Sequence, residues 1–479
     1  NLVAGDGAGA AKDSDTCFNV MIGCNAGAAL NAGDQNILIG CQAGDSITSG
    51  GYNIAIGDRT GCSNSTGSRN ITIGGRAGNK VTGSDNTLLG HEAGSYICAG
   101  NANIILGECG GSGVTSGGCN IILGTRTMYS GNGSQNIILG KYAAYCSTSI
   151  DCSIFMGTYT GKCLIGDNNI AIGRCALIGS STVSNNTGTM NIALGLNTGC
   201  RLTSGARNIF MGCKAGHYIT SGDGNVAIGV CAGGCITTGS NNVFLGCLAG
   251  HYGTTTGSNN FASGYLSLKC LTSGYSNIVI GTFAGCCIST GDNNILLGGL
   301  AGRKITGKRN IYIGLYTGCD ATTGCFNIAI GCNVQVPIDS GSCQLAIGHA
   351  NKDKYWITGN CEFNVGIGTT NPSSRLSVAG DACVSGVITA TNFAKADGSS
   401  LGGFSADSQE NLYAGTDAGA ASDSDTCFNV ALGFKAGCSL NQGDYNVLFG
   451  AYAGKSLTSG LCHIMMGQKA GRNLTAGTS

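Results

Sequence analysis

Proline is nearly missing from this 479-residue chain, which has 2, and tryptophan occurs once. Charge is scarce too: Asp, Glu, Lys and Arg make up 10% of the residues, well under the usual quarter or so. The 25 acidic and 25 basic side chains cancel, so the electrostatic footprint of a nucleic-acid partner is absent. No apolar run approaches the ~20 residues that span a bilayer, which argues against membrane insertion. There is no signal-peptide pattern. There is no C-x-x-C and no Cys/His grouping at zinc-ligand spacing. No glycine-rich string ends in the Lys-Ser/Thr of a phosphate loop, and no G-x-S-x-G joins a strand to a helix. The acidic residues are thinly spread, whereas solenoid glycosidases gather carboxylates on one face. These absences predict no enzyme, no catalytic residues, no metal and no cofactor.

What is present is glycine, 85 residues of it, on a strict period. Residues 225–241 read NVAIGVCAGGCITTGSN, and Asn242 begins the same phrase again. The consensus is N-[IV]-x-[IL]-G-x-x-A-G-x-x-[IL]-T-x-G-x-x. It recurs about every 17 residues from Asn19 almost to the last residue, with Ser153, Gln344 and His463 replacing Asn in three copies. A short, persistent period is the mark of a solenoid. Disorder is excluded, because a disordered tract has no reason to hold Ile, Leu and Val in phase. The sequence therefore predicts an all-β fold, a β-solenoid or β-roll with a rise of about 4.8 Å per turn and two or three short strands in each.

Within one copy, the Ile/Val and Ile/Leu of the second and fourth positions share one side of a strand. This reading places them inside the coil. The third position then faces outward, although it is apolar in nearly every copy. Phe155, Phe210, Ala227, Phe244 and Tyr312 are accordingly the candidate oligomer interface. The asparagines, among them Asn36, Asn53, Asn225, Asn242, Asn277 and Asn294, are predicted to stack into an amide ladder. The closing Gly and the A-G pair read as tight corners.

The 28 cysteines occupy recurrent phases of the repeat. Cys24/Cys41, Cys146/Cys163 and Cys270/Cys287 are equivalent positions in adjacent turns, spaced within the ~4.4–6.8 Å window of a disulfide. They are candidate bridges of an extracellular object; the alternative is a small apolar corner filler. His91, His217, His251, His349 and His463 read as corner residues. Asp34, Asp167, Asp223, Asp292 and Asp444 read as turn formers, since calcium-binding rolls carry Asp at every turn of a shorter repeat. The recurrent Thr of T-x-G, such as Thr48, Thr203, Thr220 and Thr237, leaves an ice-binding face as a minor alternative.

Three segments follow: an array over 1–349, a β connector over 350–410 and a second array over 411–479. Residues 411–430 match 1–20 at all but four positions, so a larger unit is duplicated. Residues 169–191 hold an insertion that predicts an outward loop. Both ends fall in mid-pattern, so the expectation is a processed chain or a window on a longer one.

Two resemblances come from these motifs. NIAIG at 53–57 and 327–331 resembles the head repeat of trimeric autotransporter adhesins, with a repeat longer by three residues. The connector, YWITGNCEFNVGIGTTNPSSRLSVAGDACVSGVITATNF at 355–393, joined to the array, resembles tail-fibre and other virion structural proteins of marine bacteriophages, notably cyanophages. Both resemblances imply a homotrimeric, extracellular, non-catalytic fibre. Its partners would be its own copies and a host cell-surface receptor or glycan. The function so implied is a virion appendage that spans distance and presents an attachment tip; a cell-surface adhesin or extracellular filament is the alternative.

Overall fold

The computed structural model describes residues 1–349, 355–385 and 407–477. Its described residues form two compact units, Asn1–Asp381 and Ala382–Ser479. The fold is a β-solenoid with no α-helix among the described residues. In the first unit one short strand per turn, from Leu2–Ala4 to Leu345–Gly348, pairs in parallel with its equivalent in the next turn. The register never slips: Ala193 lies beside Phe210, Phe210 beside Ala227 and Ala227 beside Phe244.

Each turn holds one strand rather than two or three. The reason lies in the backbone on either side of it. The closing glycines take φ near +130°, as at Gly229 with 132°. A Cβ there would sit 2.7 Å from the Gly246 carbonyl of the next turn, so only glycine fits. Two further positions per turn are left-handed without being glycine. One precedes the asparagine, as Gln35, Tyr52 and Arg69 do; the other lies two residues after the closing Gly, as Gln42, Arg59 and Arg76 do. Each such residue interrupts extended backbone. The turns stay joined nonetheless, because these amides donate to carbonyls one turn back: Tyr52 to Asp34 and Arg59 to Cys41, each at 2.9 Å.

The insertion does not disturb the stack. Ile170 pairs with Ile192 across it, and the extra residues fold outward around a 3₁₀ turn at Val183–Asn185. The buried Asn186 ties the loop down through Cys163 O and Ser180 O, both at 2.9 Å.

The first coil ends in a fold-back. Tyr355–Gly359 pairs antiparallel with Leu345–Gly348 and with Val365–Ile367. The buried Tyr355 donates its hydroxyl to Gln335 O at 2.8 Å. The reversal covers the open sheet edge that a solenoid end presents. Part of the expected connector thus belongs to the first compact unit, which runs to Asp381. The connector residues 350–354 and 386–406 lie outside the described residues. The second unit repeats the coil over four parallel strands, Leu412–Ala414 to Ile464–Met466.

Candidate functional surfaces

The asparagine ladder has a fixed geometry. Asn53 donates its backbone N–H to Asn36 Oδ1 at 2.9 Å, and its Nδ2 donates to the same oxygen at 3.0 Å and to Gly67 O at 2.9 Å. Asn225, Asn242, Asn277 and Asn294 repeat these three bonds at every step. Both amide hydrogens and both acceptor directions are used, so a fully buried polar row costs nothing in unmade bonds. Ser153 and His463 keep the backbone donation to the preceding Asn. Gln344 also keeps it, while its longer side chain turns aside to bond Ile338.

The ladder fixes which way every strand faces. Asparagine points inward, and side chains alternate, so the third position points inward with it. Phe155, Phe210, Ala227, Phe244 and Tyr312 are all 0% exposed inside the coil. This corrects their assignment as an outward interface. The error is one of parity: a shift of one residue exchanges the two faces of a strand. Inside, from Ala193 to Ala262, large and small residues alternate up the column. Phe210 lies between Ala193 and Ala227, and Phe244 between Ala227 and Ala262. The A-G pair completes this packing. Its Ala is a core side chain, as at Ala232 and Ala249. Its Gly leaves room for the aromatic ring: a Cβ on Gly216 would meet Phe210 at 2.7 Å, and one on Gly250 would meet Phe244 at 2.5 Å.

The outward face is therefore made of the second and fourth positions. From Val20–Ile22 to Leu345–Gly348 both columns are Ile, Val, Leu, Met or Phe, except for Thr87 and Ser263. None is buried; Ile104 is 43% exposed, Ile278 44% and Ile280 42%. The sequence signal for this face is the absence of charge at both positions.

The other candidates resolve into structure. All 28 cysteines are free thiols, including Cys24, Cys41, Cys146, Cys163, Cys270 and Cys287. A parallel stack aims equivalent Cβ atoms the same way rather than at each other, which opposes bridge geometry. Burial, followed by the neighbouring Cys146 thiol, pushes Cys163 up to about 12. Cys200 Sγ approaches His217 Nδ1 at 3.0 Å. Burial pushes that thiol up to about 11, the reverse of an activated nucleophile. The turn aspartates are committed to backbone. Asp34, Asp223 and Asp444 each accept an N–H from the preceding turn at 2.7 Å, from Cys17, Ala206 and Cys427. The T-x-G threonines bond the next turn's carbonyls, Thr48 to Ser65 at 2.9 Å and Thr220 to Thr237 at 3.1 Å. Their hydroxyls are thus tied to the coil.

Side chains in the two left-handed columns stack along the coil, a feature the repeat consensus does not reveal. Arg69 pairs with Asp85 at 2.6 Å, Arg76 with Glu92 at 3.2 Å, and the Tyr142 and Tyr159 rings stack at 5.0 Å. Among the described residues no helix is long and apolar enough to cross a membrane. Comparison with protein-family models, with curated proteins and with solved structures gave no match.

Proposed function

We propose that this chain is a structural segment of a homotrimeric extracellular fibre, with parallel copies packed through the outward strand face. The observation that carries the reading is that face. Two apolar columns run unbroken by charge through twenty successive strands, Val20–Ile22 to Leu345–Gly348. At the exposures above they present on the order of 2,000 Å² of apolar surface, against about 300–600 Å² for the largest patch on a typical soluble monomer. It also exceeds the roughly 800 Å² that each partner of a standard interface contributes. A second copy is the fitting cover, since its ridges recur at the same spacing and can interleave in register around an axis along the coil. The mechanical role follows from the ladders, which tie every turn to the next. The virion appendage remains the setting that the sequence resemblance implies.

The test is mass photometry of the whole chain beside a variant carrying Ile121→Asp, Leu123→Asp, Ile137→Asp and Leu139→Asp. The wild type is expected at three times the 47.8 kDa chain mass. The variant is expected at one chain mass with its β circular dichroism intact. A wild type that remains a 47.8 kDa particle, or a variant of unchanged mass, overturns the reading.

A further inference from the structure

We propose that His91, Glu92 and Cys109 form a site for a single thiophilic divalent cation of the zinc class, which pins two successive turns together. An imidazole nitrogen, a carboxylate oxygen and a thiol sulfur from these residues all lie within 4.8 Å of one another. These are the three donor types that zinc takes, and three protein ligands with an open fourth position is a regular arrangement for it. The sequence hid the set, because Cys109 is separated from His91 and Glu92 by a whole repeat.

The backbone already holds the three donors in place. Cys109 N donates to His91 O at 2.9 Å, and Glu92 N donates to Gly75 O at 2.9 Å. Glu92 and Cys109 both occupy the left-handed column, with φ of 55° and 53°, so their side chains leave the coil in the same direction one turn apart. The carboxylate is divided between two tasks. Glu92 Oε1 is held by Arg76 Nη1 at 3.2 Å, while Oε2 faces Cys109 Sγ at 3.5 Å. A carboxylate anchored by one oxygen and offering the other is the outer-shell orientation that metal sites use. Arg126, the nearby cation opposite, is drawn toward Tyr142, 3.4 Å from its hydroxyl. The imidazole has room: Gly75 beneath it has no side chain, and a Cβ there would meet His91 Cδ2 at 3.4 Å. Glu92 and its anchor Arg76 also line a cleft of about 300 Å³ with Arg59, Tyr96 and Tyr129.

The chemistry selects the ion. One thiol, one imidazole and one carboxylate suit a borderline-soft metal. Calcium and magnesium need six or more oxygens, and the site offers one carboxylate. On binding, the Cys109 S–H proton leaves to solvent and a sulfur–metal bond forms. Thiolate and carboxylate together then neutralise the dication, with neutral imidazole as third ligand.

The site can be read residue by residue, in spite of the other thiols, by alkylation and peptide mass spectrometry on the whole chain. With micromolar Zn²⁺, Cys109 in the wild type is expected to alkylate at least about tenfold more slowly than without it. In His91→Ala and in Glu92→Gln, both surface changes, Zn²⁺ is expected to alter that rate less than about twofold. Exposed Cys119, in a different column, is the internal reference and should respond to Zn²⁺ in none of the three proteins. No protection of Cys109 in the wild type overturns the proposal. So does equal protection in either variant, which would mean that the replaced residue is not a ligand.

Discussion

At the scale of the residue, the narrow coil makes each inward side chain depend on the turns above and below. Phe210 is fully buried between Ala193 and Ala227, and those alanines cannot expand into a void. Phe210→Ala is therefore expected to cost about 3–5 kcal/mol in urea unfolding and to leave the oligomer mass unchanged. A change of mass without a change of stability would show the residue to be an interface side chain after all. Cys200 gives a pH signature. Its thiol is raised from 9.0 to about 11 by burial, so the folded state holds a proton that the unfolded state releases. Its contribution is fully present below pH 9 and is lost as pH rises from 9 toward 11. The urea midpoint should fall over that window, and less steeply in Cys200→Ala. Identical slopes in the two proteins would rule out this thiol as a source of the loss.

The element here is the turn, and its tolerance to change differs around its circumference. Strand and ladder positions are fixed by the next turn, whereas the outer side of a corner is open to solvent. Residues 181–185 show this: they are 3₁₀ turn and bend, with Ser181, Thr182, Ser184 and Asn185 exposed, while the strands on either side stay in register. Deleting 181–185 restores the seventeen-residue spacing and joins Ser180 to Asn186, residues that already bond each other. The deletion is expected to preserve oligomeric mass and to move Tm by less than about 5 °C. Collapse of the β signal would mean that the loop closes the turn rather than decorating it. The buried Thr72 illustrates the opposite constraint. It sits at a third position, 2% exposed, with its hydroxyl on Ile54 O at 3.3 Å. Here the apolar core divides, one cluster ending at Ala55 and the next starting at Val81.

On the scale of the whole molecule, stability is a sum over neighbours, because each turn touches only the one before and the one after. Local opening should then be easiest where a neighbour is missing. As a 479-residue chain, the protein has an asymmetric first coil in this respect. Leu2–Ala4 pairs on one side with Val20–Ile22, whereas Leu345–Gly348 is covered by the antiparallel Tyr355–Gly359. Hydrogen exchange should be slowest at central strands such as Ile209–Met211. It should be clearly faster at Leu2–Ala4 than at Leu345–Gly348, with Ile464–Met466, the last strand of the second unit, also fast. Equal protection at Leu2–Ala4 and Leu345–Gly348 would deny the fold-back its capping role.

The sequence by itself determined the solenoid, its period, its glycine corners and the asparagine ladder. These follow from a repeat whose members can meet only in equivalent positions of stacked turns. Which face of the strand is the interior was decided by tertiary structure. Isoleucine at the second and fourth positions and phenylalanine at the third are both apolar, so hydrophobicity cannot choose between them. The choice was made by Asn36 and its equivalents, whose amides find carbonyl partners only inside the coil and carry the third position in with them. Nor could the period reveal the convergence of His91, Glu92 and Cys109. Their meeting depends on left-handed corners at Glu92 and Cys109, residue types for which that conformation is no local preference and which only stacking holds there.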